Sequence, residues 1–247
     1  MDFKGKVVLV TGSSKGLGKA TLLEFAKKGA TVILNYNNSK KECEKIEEQL
    51  INLKVPYLII KCDVSNSEEV NAMIEKIIHN FKKIDIVINN AAIAIDSTFE
   101  DKTVENFKKI LEINLIGAFN VCKAVENYMK QRKYGKIVNV SSTNAVDTYY
   151  PYSMDYDASK AALNSLTKNL AVQFSPYINV NAISPGWIET EMNTNLDSEY
   201  KQNEIKKILL NRFAQPEEIA NIILFLCSDE AKYINGAIIN VDGGKNV

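Results

Sequence analysis

One alternation constrains the fold of this chain more than any other feature. Short β-branched runs recur along it: "KVVLVT" (6–11), "TVILNY" (31–36), "PYLIIK" (56–61), "IDIVIN" (84–89), "KIVNVS" (136–141), "INVNAIS" (178–184) and "AIINV" (237–241). Each is almost continuously apolar, which suits strands buried on both faces of a parallel sheet. Between them, Val70, Met73, Ile74, Ile77, Ile78 and Phe81 step by three and one and draw a single apolar helix stripe. Strand then helix, repeated, predicts a doubly wound α/β fold: seven parallel strands with helices on both faces. No Gly/Ser/Pro linker, low-complexity tract or repeat divides the chain, so residues 1–247 read as one domain. The polar segment 190–207 reads as an excursion from that domain, a candidate lid.

Composition excludes several partners. Thirty basic and thirty acidic side chains cancel, so no basic surplus points to nucleic acid or an anionic membrane. Cys43, Cys62, Cys122 and Cys227 are scattered without a CxxC pair or a nearby histidine. That usage reads as reduced core thiols of a cytoplasmic protein, with no metal site. "MDFKGKVVLVTG" enters a strand almost at once, leaving no room for a signal peptide, and no apolar run reaches the length of a membrane span.

The first strand leads into "TGSSKGLGKA" (11–20) and then a helix. Glycines at 12, 16 and 18 permit a tight turn and close approach of a ligand, and the helix N-terminus offers free N–H groups to a pyrophosphate. Any βα junction can use glycine, so the turn gains weight from its place after the first strand. Its spacing is Thr-Gly-x-x-x-Gly-x-Gly, not G-x-G-x-x-G. With "CDV" (62–64), "NNAA" (89–92), Asn114, "NVSS" (139–142), "YDASK" (156–160) and "SPGWIET" (184–190) in order, the whole chain resembles the short-chain dehydrogenase/reductase family. The resemblance implies one Rossmann-type domain that binds a nicotinamide cofactor. Ala92 departs from it, standing where the family shows glycine.

Carbonyl reduction needs a hydride donor, a proton donor and a group that holds the developing charge. Tyrosine is a poor acid at neutral pH, but a lysine one helical turn away favours its phenolate. In "DTYYPYSMDYDASK" (147–160) only Tyr156 has a cation four residues on, Lys160. The resemblance implies that Tyr156 exchanges the proton, that Lys160 lowers its pKa and holds the cofactor ribose, that Ser142 orients the carbonyl, and that Asn114 supports a proton relay. Ser141 is the competing serine. By the same resemblance, Ile188 and Thr190 contact the carboxamide beyond Pro185 and Gly186. His79, the one histidine, reads as solvated.

Backbone and side chains of Gly12, Ser14, Lys15, Gly16, Leu17 and Gly18 are the expected phosphate end of the cofactor site. The second strand ends at Asn35 and Tyr36 without the carboxylate that would bind a ribose diol, and Lys15 brings a cation to where a 2′-phosphate would lie. Both favour NADPH/NADP+ over NADH. Asp63 and Val64 would flank the adenine, with Asn90, Ala91 and Ala92 along the cleft.

Within the family the chain resembles 3-oxoacyl-[acyl-carrier-protein] reductases, notably in "VILNYNNSKKECEKI" and in the C-terminal stretch from "RFAQPEEIA" to "NVDGG". The implied substrate is a 3-oxoacyl thioester or related ketone, small or carrier-bound. Arg132 is near one position those reductases use to dock an acidic carrier; the Arg-Gly pair before the sixth strand is replaced by "SPYIN" (175–179). Tyr149, Tyr150, Tyr152 and Trp187 form a candidate substrate wall, which leaves room for a small ketone, sugar or steroid. A non-catalytic dinucleotide-binding regulator is the reading from another class. The resemblance also implies a homotetramer, or a dimer.

Overall fold

In the computed structural model, residues 1–146, 150–193 and 196–245 are described, the Met192 side chain excepted. The seven expected runs form seven strands: Val7–Val10 (β1), Thr31–Tyr36 (β2), Tyr57–Lys61 (β3), Ile86–Asn89 (β4), Gly135–Val140 (β5), Ile178–Pro185 (β6) and Ile238–Val241 (β7). All are parallel, in the order β3-β2-β1-β4-β5-β6-β7. Eight α-helices among the described residues lie between or beside them: Gly16–Lys27 (α1), Lys40–Leu53 (α2), Ser67–Phe81 (α3), Val104–Leu111 (α4), Gly117–Gln131 (α5), Met154–Phe174 (α6), Ser198–Lys206 (α7) and Pro216–Cys227 (α8).

Strand alternation decides which helix packs where. Val8 and Val10 of β1, with Val32 and Leu34 of β2, face Leu22 and Phe25 of α1, Ile46 and Leu50 of α2, and Ile219 and Ile223 of α8. Val7, Leu9 and Ile33 point the other way, onto Val70, Met73 and Ile77 of α3, Val125 of α5 and Phe174 of α6. Burying each such side chain stabilises the fold by about 1.5–3 kcal/mol, so the two cores lock the helices onto the sheet. The stripe on α3 lands on its core as its spacing predicts. That helix begins where the Asn66 side chain accepts from the N–H groups of Glu68 and Glu69.

Two local features were not foreseen. Between α4 and α5, Glu112–Ile116 winds as a π-helical turn. The excursion at 190–207 contains a genuine helix, α7, whose start is capped by Asp197 accepting from Glu199 and Tyr200. The sheet order reverses between β1 and β4, so the crevice for a ligand opens at the carboxyl ends of those two strands.

Candidate active site

The glycine-rich turn leaves β1 at that crevice. Gly12 has φ +60°, and a Cβ on it would stand 2.9 Å from Ala91 Cα, so the turn is pressed against the segment after β4. A Cβ on Gly18 would stand 2.6 Å from the Gly12 carbonyl. Gly16 faces Thr190 instead: an added Cβ would lie 3.5 Å from its Cγ2. The turn therefore packs on the segment after β4 at Gly12, closes on itself at Gly18 and faces the 188–190 segment at Gly16. At the start of α1 no side chain caps the helix and no acid occupies the first turn. Those unclaimed N–H groups fit an anionic phosphate, as a nicotinamide dinucleotide would present.

Several expected cofactor residues turn out to build the crevice. Asn35 is buried: its Oδ1 accepts from Gly12 N at 3.0 Å, and its amide donates to the Cys62 carbonyl at 3.1 Å. Asn90 likewise donates to the Thr11 and Gly12 carbonyls at 2.9 and 3.2 Å. These amides hold the turn from inside rather than pointing at a ligand. Asp63 is tied down by Ser65 and Asn37, and the Val64 carbonyl accepts from Asn120. Tyr36 is half-buried at the end of β2; Ser14 and Leu17 lie in the turn, Ser14 half-buried and Leu17 buried. Ala92 is not among the residues with positive φ, so its methyl carries no backbone strain. Lys15 forms a 3.0 Å ion pair with Glu42 of α2, a partner that sequence spacing did not reveal.

The catalytic candidates converge at the carboxyl end of β5. Lys160 and Tyr156 share one face of α6, and the ammonium stands 5.4 Å from the Tyr156 ring centre. Lys160 is buried and donates to the Val140 carbonyl at 2.7 Å. Ser142 is hydrogen-bonded to the Tyr156 hydroxyl and accepts from Asn144 N. Ser141 is spent elsewhere, donating to the Lys160 carbonyl, which separates the two serines. Asn114 lies in the π-helical turn, and its side chain is fully engaged: it accepts from Ile93 N at 2.8 Å and donates to the Ile93 carbonyl at 3.0 Å and to Ser159 at 3.1 Å.

One expectation needs correction. Lys160 does not pull the Tyr156 pKa down. Burial pushes the phenol up to about 12, and the Ser142 hydrogen bond only partly opposes it. Burial also lowers Lys160, to about 8. Lys160 is not among the groups that oppose burial, and its ammonium is turned to the Val140 carbonyl.

Beyond this set lies an aromatic row. Tyr152 meets Tyr150 edge-on at 5.4 Å; Tyr150 and Tyr200 of α7 are 6.3 Å apart; Trp187 contacts Tyr200 at 6.3 Å and stacks on Phe213 at 5.3 Å. The Trp187 indole donates to Glu204, which Lys207 and Lys245 also hold. Tyr149 lies outside the described residues. Gly186 packs against Asp242 after β6, and Ile188 bridges to Ala214, which anchors the 186–190 segment. Arg132 is bonded to Asp85 ahead of β4, at the sheet end opposite the crevice. Tyr200, Phe213, Lys102 and Asp155 had no motif to mark them.

This arrangement of a phosphate-ready turn and a Ser/Tyr/Lys cluster defines a dinucleotide-dependent oxidoreductase, and the comparisons agree. A family model described as Enoyl-(Acyl carrier protein) reductase matches residues 12–246. Among curated proteins, the 3-oxoacyl-[acyl-carrier-protein] reductase FabG of Thermotoga maritima is 39% identical over 99% of both chains. The 3beta-hydroxysteroid dehydrogenase 1 of Eggerthella lenta is 34% identical over 98% of this chain and 94% of its own. Among solved structures, a short chain dehydrogenase from Bacillus anthracis superposes with a TM-score of 0.89 at 36% identity, covering 98% of this chain and 97% of that one. A short-chain type dehydrogenase/reductase from Mycobacterium marinum gives 0.93 at 32%, covering 99% and 96%. The chain belongs to the short-chain dehydrogenase/reductase family and is an oxidoreductase similar to the 3-oxoacyl-[acyl-carrier-protein] reductases.

Proposed function

We propose that this protein is an NADPH-dependent carbonyl reductase acting on a 3-oxoacyl thioester or related ketone. The observation that carries the reading is the Ser142–Tyr156–Lys160 cluster at the carboxyl end of β5, with Lys160 buried and Ser142 and Tyr156 half-buried. When bound, NADPH supplies the hydride. Ser142 and Tyr156 are hydrogen-bonded neighbours, so a carbonyl placed against both hydroxyls would accept two hydrogen bonds that strengthen as negative charge develops. Tyr156, protonated because burial holds its pKa near 12, gives up its proton to that oxygen. Lys160 would compensate the phenolate left behind and would hold the cofactor ribose. With the Asn114 side chain spent on Ile93 and Ser159, its backbone in the π-helical turn is the part that would support a water in the proton relay. Lys15 would meet the 2′-phosphate once released from Glu42. Gly186, Pro185, Ile188 and Thr190 would border the nicotinamide, and Asp63, Val64, Ala91 and Ala92 the adenosine half.

The aromatic row favours a second reading, a compact ring-bearing ketone, because flat apolar faces recognise rings better than a flexible acyl chain. The steroid activity in the name of the Eggerthella lenta relative is consistent with it. We further propose a cytoplasmic homotetramer or dimer. No helix among the described residues is long and apolar enough to cross a membrane.

A panel of 3-oxoacyl thioesters and cyclic ketones, incubated with NADPH and followed by loss of nicotinamide absorbance, tests both readings. Turnover of linear thioesters supports the first and a preference for rings the second. Tight NADPH binding without any turnover would instead indicate a dinucleotide-binding regulator.

A further inference from the structure

The segment between β4 and α4 forms one wall of the crevice, and the turn before α6 forms the other. A single cation joins them. The Lys102 side chain is 5% exposed, and its ammonium donates to the Ile95 carbonyl at 2.8 Å, the Tyr152 carbonyl at 3.1 Å and Asp155 Oδ1 at 3.0 Å. All three N–H bonds of the ammonium are used: one stays on its own wall, to Ile95, and two cross to the other, to the Tyr152 carbonyl and the Asp155 carboxylate. Asp155 is fully buried in the first turn of α6, and the same Oδ1 accepts from the Tyr156 backbone N–H at 3.0 Å. Ser97 adds a second tie by donating its N–H to the Tyr152 carbonyl at 3.0 Å.

The other end of the 93–102 wall is held by Asn114, which clasps both the N–H and the carbonyl of Ile93. A short path therefore links two of the catalytic candidates: Asn114 to Ile93, along the backbone to Ile95, through Lys102 to Asp155, and on to Tyr156. The pair is costly to bury. An ion pair lost from water recovers its desolvation only with full hydrogen bonding, and Asp155 Oδ2 has no partner among the described residues. An apolar contact would hold two surfaces together more cheaply, but it would not fix their register. A buried ammonium with three directed bonds does fix it.

We propose that Lys102 and Asp155 are positioning residues for the reduction: their ion pair sets the start of α6, and with it Tyr156, against the Asn114 wall. This rests on the reading of Tyr156 as proton donor. The catalytic hydroxyl needs sub-ångström placement, whereas cofactor binding at the glycine turn does not depend on this pair.

The test compares wild type with Lys102→Met, Asp155→Asn and the apolar double variant Lys102→Met/Asp155→Leu. NADPH affinity, thermal midpoint and steady-state kinetics on one ketone that wild type reduces are measured, the kinetics well below each midpoint. In Lys102→Met we expect kcat to fall about 10- to 100-fold, as misplacement by an ångström does, with NADPH Kd nearly unchanged. Asp155→Asn keeps an acceptor for the Tyr156 N–H and should lose less. The double variant removes the unpaired charge, so its midpoint should recover while kcat stays low. Wild-type kcat in the double variant, or a lowered midpoint in Lys102→Met with intact kcat, would reduce the pair to a structural staple and overturn the proposal. If wild type reduces no ketone, the reductase reading fails separately. Amide hydrogen exchange then still judges the tie: unchanged Tyr156 N–H protection in the double variant overturns it.

Discussion

A phenol with its pKa near 12 and an ammonium near 8 sit side by side, and the difference predicts the pH behaviour. Tyr156 stays protonated across the working range, so Lys160 titrates first. As pH rises through about 8 the ammonium is lost, and ketone kcat/KM should fall with that midpoint; a flat profile to pH 10 would contradict the role given to Lys160. Removing the phenolic oxygen in Tyr156→Phe should cut kcat about 100- to 10,000-fold while NADPH binding persists, read by nicotinamide absorbance and fluorescence titration. At the phosphate end, Lys15→Ala should lower the NADPH-to-NADH ratio of kcat/KM. Glu42 competes for the same ammonium across an exposed 3.0 Å pair, so Glu42→Gln should raise that ratio by a small factor, about two- to fivefold, as surface pairs are weak. Equal changes for both cofactors would remove Lys15 and Glu42 from the discrimination.

Among the elements, α7 and the glycine turn show the two ways a loop becomes a site. The turn is rigid: Gly12→Ala would force a left-handed φ of +60° and a Cβ 2.9 Å from Ala91 Cα. A loss of about 1–3 kcal/mol is expected, measured by denaturant unfolding, with NADPH affinity falling alongside. By contrast, α7 is held at one end by Glu204, clasped by Trp187, Lys207 and Lys245, and meets the opposite wall through Tyr200 and Tyr150. Tyr200→Ala should therefore raise KM for a cyclic ketone about 10-fold or less, the worth of one aromatic contact, and leave a short linear 3-oxo thioester little changed. Identical effects on both substrates would argue that the row is packing alone.

At the level of the whole molecule, the end of the sheet opposite the crevice is held by charge. Asp85 is buried; burial alone would raise its pKa, but Arg132, the Val7 N–H and Lys83 outweigh that and hold it below the ordinary carboxylate value. A carboxyl depressed in the fold contributes stability above its unfolded pKa and loses it as pH falls through the folded one. Asp85→Asn should thus lower stability at neutral pH and flatten its acid dependence, measured by thermal midpoint against pH. Arg132 is bound into this cluster, at the sheet end away from the crevice. Seven strands, the α3 stripe and the i,i+4 relation of Tyr156 to Lys160 were legible because they are periodic, and period depends only on local backbone geometry. The glycine turn was legible because φ above zero demands glycine locally. Asn35 and Asn90 looked like ligand groups but serve the turn's own carbonyls and N–H groups, and the rise in the Tyr156 pKa was hidden, because hydrogen bonds and burial depend on strands and loops far apart in sequence. The same holds for Lys102, 53 residues from Asp155, and for the meeting of Tyr150 with Tyr200. The amino-acid order by itself determined the elements, their alternation and the spacing of Tyr156 and Lys160; only the packed sheet decided which polar groups would be spent on the fold and which left free of it, since that division is made by desolvation and long-range contact.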